Sequence, residues 1–565
     1  MTVTSPYNWA AARAQFAALA AEPLTVHAVP EWLHRWSDLS KEFWEARAVL
    51  KAVAARDPAD ETAQSAFGAF NQQNTSAYMA AQEPLTARLL ALEGFEPAAD
   101  LVQLMRRMRN ESGLFREENV AILAKVSALQ SEFTTIFGAM QATVDGENIS
   151  FGQAAARLRD PDRSVREAAW RGIDDRWQED HQQIGELVLK LVTLWREIAR
   201  SAGLADFRAY SWRELNRLDY TPDDCFAFHD AVEAEILPLA RALGTARQDR
   251  LGVASRRPWD LVVDPESRPA LRPFAGVSEL EEGVTRILTR IDPEFGDLFA
   301  RMRDGWLDLA PVSGKPLGGE EWYFMTSGMP YIVSNAVGTH DNVLTAIHES
   351  GHAVHDYLSR HRHDLIWNGG APDEFAELAA NAMIFLADPY LERDRGGFYT
   401  AALANQGRVN NIAYYVRFLL QVCMVDNFQH WLFTTSPEGL TVDDLDSRWL
   451  AIAERFDDGL DWSGLERRRA AGWLYYTFFH VSNPFYFLGY GLSLLGAVQV
   501  WRNAQVNQAS AVRVYKEALC LGDTKSLPQL FEAAGAKLPF DRATVRDAAR
   551  FMAAYLHKAG ALSSQ

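Results

Sequence analysis

A mainly α-helical fold with a small β-sheet is what this chain of 565 residues predicts. Three observations carry the prediction. Helical spacing of apolar residues recurs along most of the chain, and proline and glycine cluster at the joints. β-type runs are confined to a stretch near residue 145 and another between residues 310 and 340. With 48% hydrophobic residues the chain has ample material for a large core. The net charge is −18, from 74 acidic against 56 basic residues. Nucleic-acid binding relies on basic patches, so no nucleic-acid partner is expected.

Residues 1–145 read as successive helices, with breaks expected near Pro23, Pro30, Pro58, Pro84 and Pro97. Trp32, Trp36, Phe43 and Trp44 mark a helix packed by its aromatic face. Val144-Asp-Gly-Glu-Asn-Ile-Ser-Phe151 predicts a small hairpin around its Asp-Gly turn. Helices resume at Gln153. Ile184, Leu187, Val188, Leu191, Trp195 and Ile198 keep an amphipathic spacing that should end near Arg200–Gly203. Thr221-Pro-Asp-Asp224 has the chemistry of a helix start: a capping threonine, proline in the first turn, then two acids. That helix is expected to run through Ala242. Val253–Phe274 is proline- and arginine-rich, the longest irregular connection, and another helix follows from Val277.

Ser313–Gly319 reads as a loop without Walker spacing, so no phosphate loop is expected. Glu321–Met325 and Pro330–Ser334 are short β-prone runs on either side of a turn. The second run lies just before the chemistry-bearing motif described next. As a sheet edge it could pair with an extended peptide; as a core strand it could not. From Pro372 onward the chain again reads as helical.

Thr345-Ala-Ile-His348-Glu349-Ser-Gly-His352-Ala-Val-His355 contains His-Glu-x-x-His. On a helix, residues four apart lie about 40° from alignment, so His348 and His352 share a face. Two imidazoles so placed can hold one Zn²⁺ at roughly 2.0–2.1 Å each. Glu349, one step round the helix, suits a general base acting on a metal-activated water. Val343, Leu344 and Ile347 supply an apolar side, and Asp341 or Asn342 is the expected cap. His355 lies about 10.5 Å along the axis from His348, too far to share the ion. The next helix offers Glu374 and Glu377, three apart and on one side. The residues alone leave these two open as third ligand or as an acidic first turn. A late aromatic block, Trp473 to Gly491, holds His480, Tyr486 and Tyr490, donors suited to an oxyanion or a peptide backbone.

Together these segments resemble the thimet oligopeptidase and oligoendopeptidase F family of zinc peptidases, most closely the oligoendopeptidase F branch. His348-Glu349-Ser-Gly351-His352 matches the family's metal motif, glycine included. The family's third ligand lies 29 residues after the first histidine, which favours Glu377 over Glu374. Gly318-Gly319 and Pro330–Ala336 resemble the loop and edge strand before the metal helix. The late His with a Phe-Tyr-x-x-x-Tyr block matches His480, Tyr486 and Tyr490. The likeness runs from about residue 115 to the C-terminus. Three positions depart from the family: Ile384 replaces a common glutamate, Ala379-Ala380 replaces a serine-containing pair, and Ser493 falls near a further tyrosine.

The resemblance implies a zincin-like, mainly α fold. Two helical lobes flank a deep substrate channel, and a small sheet adjoins the zinc-binding helix. The expected division is an N-terminal helical lobe over 1–200 and a catalytic lobe over 201–565. The implied activity is a zinc-dependent metalloendopeptidase acting on internal bonds of short peptides. One Zn²⁺ per chain is held by His348, His352 and Glu377. Glu349 serves as general base, and His480, Tyr486 and Tyr490 contact substrate and the transition state. The alternatives are a zinc exopeptidase and a non-catalytic peptide-binding member of the fold. Cys225, Cys423 and Cys520 form no paired motif, the opening Met-Thr-Val-Thr-Ser-Pro lacks a basic and apolar leader, and no uninterrupted apolar run reaches about 18 residues. A cytoplasmic, non-membrane protein is expected.

Overall fold

The computed structural model describes residues 7–315 and 318–562. Pro316 and Leu317 of the expected Ser313–Gly319 loop, and the six opening residues, lie outside the described residues. The fold is mainly helical with two small sheets. The chain divides into two compact units. The first comprises Met1–Ser112, Leu271–Gly407 and Leu492–Leu538, and the second Gly113–Ala270, Arg408–Gly491 and Pro539–Gln565. These boundaries are not those of a single cut at residue 200. Each unit gathers three separated stretches, and two boundaries fall inside the helices Ala401–His430 and Phe487–Val506, where no linker composition marks them.

Five strands are present among the described residues. β1 (Gln141–Val144) and β2 (Glu147–Ser150) form an antiparallel hairpin. β3 (Leu307–Asp308), β4 (Gly319–Phe324) and β5 (Met329–Ser334) form a sheet in the order β3-β5-β4.

In the first unit the Val29–Arg56 helix buries Trp32, Trp36 and Phe43, so its aromatic face is core. Phe43 stacks on Tyr78 at 4.1 Å between centroids, and Trp36 meets Trp367 edge-on at 4.7 Å. Pro84 lies inside the Ser76–Leu90 helix instead of ending it. Burial of Tyr78, Leu85 and Leu89 outweighs the one backbone bond proline forfeits. β5, the strand nearest the metal motif, is central: β3 pairs parallel on one side and β4 antiparallel on the other. Its backbone is therefore engaged on both sides, and the edge beside the motif helix is β4.

In the second unit a 39-residue helix, Arg163–Ser201, buries Ile184, Leu187, Val188, Leu191, Trp195 and Ile198, as their spacing predicts. The β1–β2 turn places Asp145 and Gly146 at φ 54° and 82°, the left-handed values a two-residue hairpin loop requires. The hairpin lies directly on this helix at Gly172, where a Cβ would sit 2.5 Å from the Thr143 carbonyl oxygen. Thr221 and Asp224 cap each other reciprocally, but the helix ends at Glu235 and a second spans Leu237–Leu251. Pro238 supplies the reason: it cannot donate within a continuous helix but suits the opening turn of a new one. Glu117–Gly138 is long and apolar enough to cross a membrane by length and composition, with a mean hydropathy of 1.2. Counting uninterrupted apolar runs misses it because Lys125, Gln130 and Glu132 interrupt the pattern.

The irregular stretch after Val253 is anchored by Asp260, which is fully buried. Its carboxylate accepts from Arg163 at 2.7 Å, Arg166 at 2.9 Å and the Arg257 N–H at 2.9 Å. Burial opposes its charge, yet these donors hold its pKa below the usual aspartate value. Asp260→Asn is expected to lower stability by about 3 kcal/mol, read from urea unfolding at neutral pH. The contribution should be full above the ordinary aspartate pKa of about 3.9 and decline as pH falls towards the depressed folded value. Equal unfolding midpoints for variant and wild type at pH 7 would contradict it.

Candidate metal centre and active site

The motif helix spans His340–Arg362. Thr339 is its N-cap, in a reciprocal box with Asn342, so Asn342 supports the start from inside and Asp341 is not the cap. Val343 and Ile347 are buried, and the helix packs on β4 and β5. The His348 and His352 rings lie 4.9 Å apart on it. A second helix, Asp373–Ala387, begins after Pro372 and brings Glu377 towards both rings. Glu377 Oε2 lies 3.5 Å from His348 Nε2 and 4.0 Å from His352 Nε2. One ligand atom from each of the three falls within 4.8 Å of the others. Glu374 and His355 are not among the converging three. His355 is buried against Phe375, with ring centroids 5.6 Å apart.

Two glycines permit this arrangement. A Cβ on Gly351 would sit 2.6 Å from Ala380 Cα and 3.1 Å from the Ala379 carbonyl oxygen. The two helices therefore touch backbone to backbone, and both small residues of the Ala379-Ala380 pair serve that contact. Gly319, at the start of β4, lies against the motif helix, where a Cβ would be 2.6 Å from Thr345 Cγ2 and 2.7 Å from Glu349 Cγ. In the sequence Gly319 belongs only to a loop. Its place against the candidate base appears once β4 is docked.

The electrostatics suit a cation. Burial, then the neighbouring His352, keeps His348 well below the usual histidine pKa, and burial, then His355, lowers His352 to about 4. Both rings are therefore neutral at ordinary pH, the form that ligates a metal. Glu349 is raised to about 8, first by burial and then by the charges of Glu377 and Glu320. Two nitrogens and a carboxylate oxygen are a zinc donor set, and tetrahedral ligands at about 2.1 Å stand about 3.4 Å apart. The observed 3.5 and 4.0 Å lie near that spacing. A divalent ion beside Glu349 would favour its carboxylate over the protonated acid.

A second cluster, Cys225, Asp426 and His430, is fully buried in the other unit. Hydrogen bonding claims it. Arg208 Nη1 lies 3.3 Å from His430 Nδ1, and a guanidinium only donates. His430 Nε2 lies 3.2 Å from Asp426 Oδ2, and His229 Nε2 approaches the same oxygen at 2.9 Å.

His480, Tyr486 and Tyr490 lie in the second unit. His480 is buried on the short Thr477–Val481 helix. The Tyr486 and Tyr490 rings pack edge-on at 5.4 Å, each partly exposed. Of the departures from the family pattern, Ile384 is core and Ser493 is fully buried, with Asn381 Nδ2 3.4 Å from its hydroxyl.

Gly351→Val is expected to wedge the two helices apart and weaken metal binding at least about tenfold in a chelator competition, with a lower unfolding temperature. Unchanged metal affinity would show that the helix contact does not set the ligand spacing.

The sequence pattern described as Peptidase family M3 matches residues 156–550. No curated protein matches the chain. PZ peptidase A, solved with an inhibitor, is similar to it with a TM-score of 0.89 and 22% identity over 98% of each chain. A protein assigned as oligoendopeptidase F has a TM-score of 0.89 and 23% identity over 98% of this chain and 97% of its own. Another so assigned, from Bacillus anthracis, has a TM-score of 0.85 and 21% identity over 98% and 97%. These structural likenesses establish the fold. The family pattern covers well over half of the chain and includes the helices that bring His348, His352 and Glu377 together, so this protein belongs to peptidase family M3 and is a metallopeptidase, a hydrolase of peptide bonds.

Proposed function

We propose that this metallopeptidase is a zinc-dependent endopeptidase cleaving internal bonds of short peptides. The observation that carries the proposal is the convergence of His348, His352 and Glu377 beside the buried Glu349. His348, His352 and Glu377 would hold the ion, which would supply a Lewis acid to the scissile carbonyl and the attacking water. Glu349 takes a proton from the attacking water and delivers it to the leaving amine. His480, Tyr486 and Tyr490 donate hydrogen bonds to the carbonyl oxygen or hold the peptide backbone.

β4 pairs with β5 along one side only among the described residues, so an extended peptide can add to its outer side. The preference for short peptides rests on the resemblance to oligopeptidases. A cytoplasmic location belongs to the same reading. It is supported by three cysteines that are all free thiols.

The deciding experiment combines metal analysis with quenched-peptide assays on wild type and Glu349→Gln. Zinc should be retained by the variant, with kcat reduced by about a hundredfold or more. Undiminished turnover would remove Glu349 from the mechanism. Peptides blocked at both termini should be cleaved as well as free ones, whereas cleavage confined to free ends would identify an exopeptidase.

Glu377→Gln should weaken zinc binding at least about tenfold, while Glu374→Gln should leave the metal content unchanged. The reverse pattern would make Glu374 the ligand.

A further inference from the structure

The second unit holds a constellation that the mechanism above does not use. Gln429, one residue before the end of the Ala401–His430 helix, is fully buried. Its amide serves both ends of the segment that carries His480 and leads to Tyr486. Nε2–H donates to the Phe479 carbonyl oxygen at 2.9 Å, and the Phe485 N–H donates to Oε1 at 2.8 Å. Neither main-chain partner has a choice of role, since a carbonyl only accepts and an N–H only donates. Together they fix which end of the amide is nitrogen.

That assignment decides a third contact. Gln429 Nε2 also lies 3.2 Å from His480 Nδ1. The atom facing the ring is a donor, so Nδ1 accepts, and the neutral imidazole carries its proton on Nε2. Burial pushes the His480 pKa down to about 3, so the ring is neutral at ordinary pH. Nε2 is buried and has no hydrogen-bond partner among the described residues. A buried N–H of this kind is costly unless something else accepts from it.

The other end of the segment is held as firmly. Phe485 has φ +65°, a left-handed value that is unfavourable for a bulky residue. Gln429 takes its N–H, and Arg217 Nη2 donates to its carbonyl oxygen. Its ring packs against those of Trp212 and His430, each at 5.3 Å. Tyr486 is the next residue. Strain secured on both sides immediately before a candidate site residue is the pattern of a preorganised site.

We propose that Gln429 is a positioning residue for peptide hydrolysis, holding His480 in the Nε2–H tautomer and bracing the Phe485 turn, so that His480 offers an N–H donor to a peptide carbonyl oxygen. The proposal rests on the reading that His480 meets substrate. It makes His480 a neutral hydrogen-bond donor that transfers no proton.

The test uses the full-length, metal-loaded enzyme with ¹⁵N-labelled histidine. The His480 signals are identified by their loss in His480→Gln. In wild type the proton should reside on Nε2, and a proton on Nδ1 overturns the proposal without any variant having to fold. In Gln429→Glu a carboxylate oxygen replaces the donor facing Nδ1, so Nδ1 should gain a proton. There kcat should fall on the order of a hundredfold, with KM changed less than about threefold. In a His480→Gln background the same substitution should cost no more than about twofold.

A large loss on His480→Gln with none on Gln429→Glu overturns the role of Gln429 alone. No loss in either variant, with the wild-type proton on Nε2, instead overturns the reading that His480 meets substrate.

Discussion

The contact between Gly351 and the Ala379-Ala380 pair is the constraint on which the rest of the site depends. A metal centre of two histidines and a carboxylate needs three ligand atoms a few ångströms apart, and here they come from two helices. Helices with ordinary side chains between them stand about 8–10 Å apart at their axes. The glycine removes the spacer, and the backbone of one helix rests against the other, with 2.6 Å left for a Cβ that is not there. Tyr515 steadies the same place, donating its hydroxyl to the Ala379 carbonyl oxygen at 2.8 Å. The alanine pair, which departs from the family pattern in sequence, supplies the small surface this contact requires.

A second consequence of close packing is electrostatic. Burial raises the pKa of Glu349, Glu321 and Asp356 around the motif helix; neighbouring carboxylates add to the rise at Glu321 and Glu349, and Arg360 opposes it at Asp356. Arg360 lies 3.4 Å from Asp356 and offsets part of that charge. These buried acids surround the helix that carries His348 and His352, where a cation would favour their ionised forms. Packing and charge therefore favour the same ligand. In the second unit, two buried carboxylates are instead held by neighbouring donors, Asp260 by its arginines and Asp426 by His229.

Much of this was legible along the chain. The Asp145-Gly146 hairpin, the apolar face of the 163–201 helix and the Thr221 cap follow from local chemistry, and each is observed. Misreadings arose where distant packing overrode a local cue. Pro84 sits within a helix because its neighbours are buried, and the second β-run is central because β3, only two residues long, pairs beside it. Unit boundaries inside helices leave no composition signal. Gln429 carries no motif at all, because its partners lie about fifty residues further along.

The sequence by itself determined the chemistry of the metal helix. The spacing of His348 and His352 is a property of helical geometry, and Glu349 follows from it one step round. Between Glu374 and Glu377 only the resemblance favoured Glu377, and the spatial convergence belongs to the tertiary structure. Tertiary structure also decided that β4 is the edge strand, that Gly319 sits against Glu349 and that the Gln429 amide faces the His480 ring. The physical reason is common to all three. Each is a contact between segments far apart in the chain, and close contact of backbone with backbone or donor with acceptor has no periodicity to read.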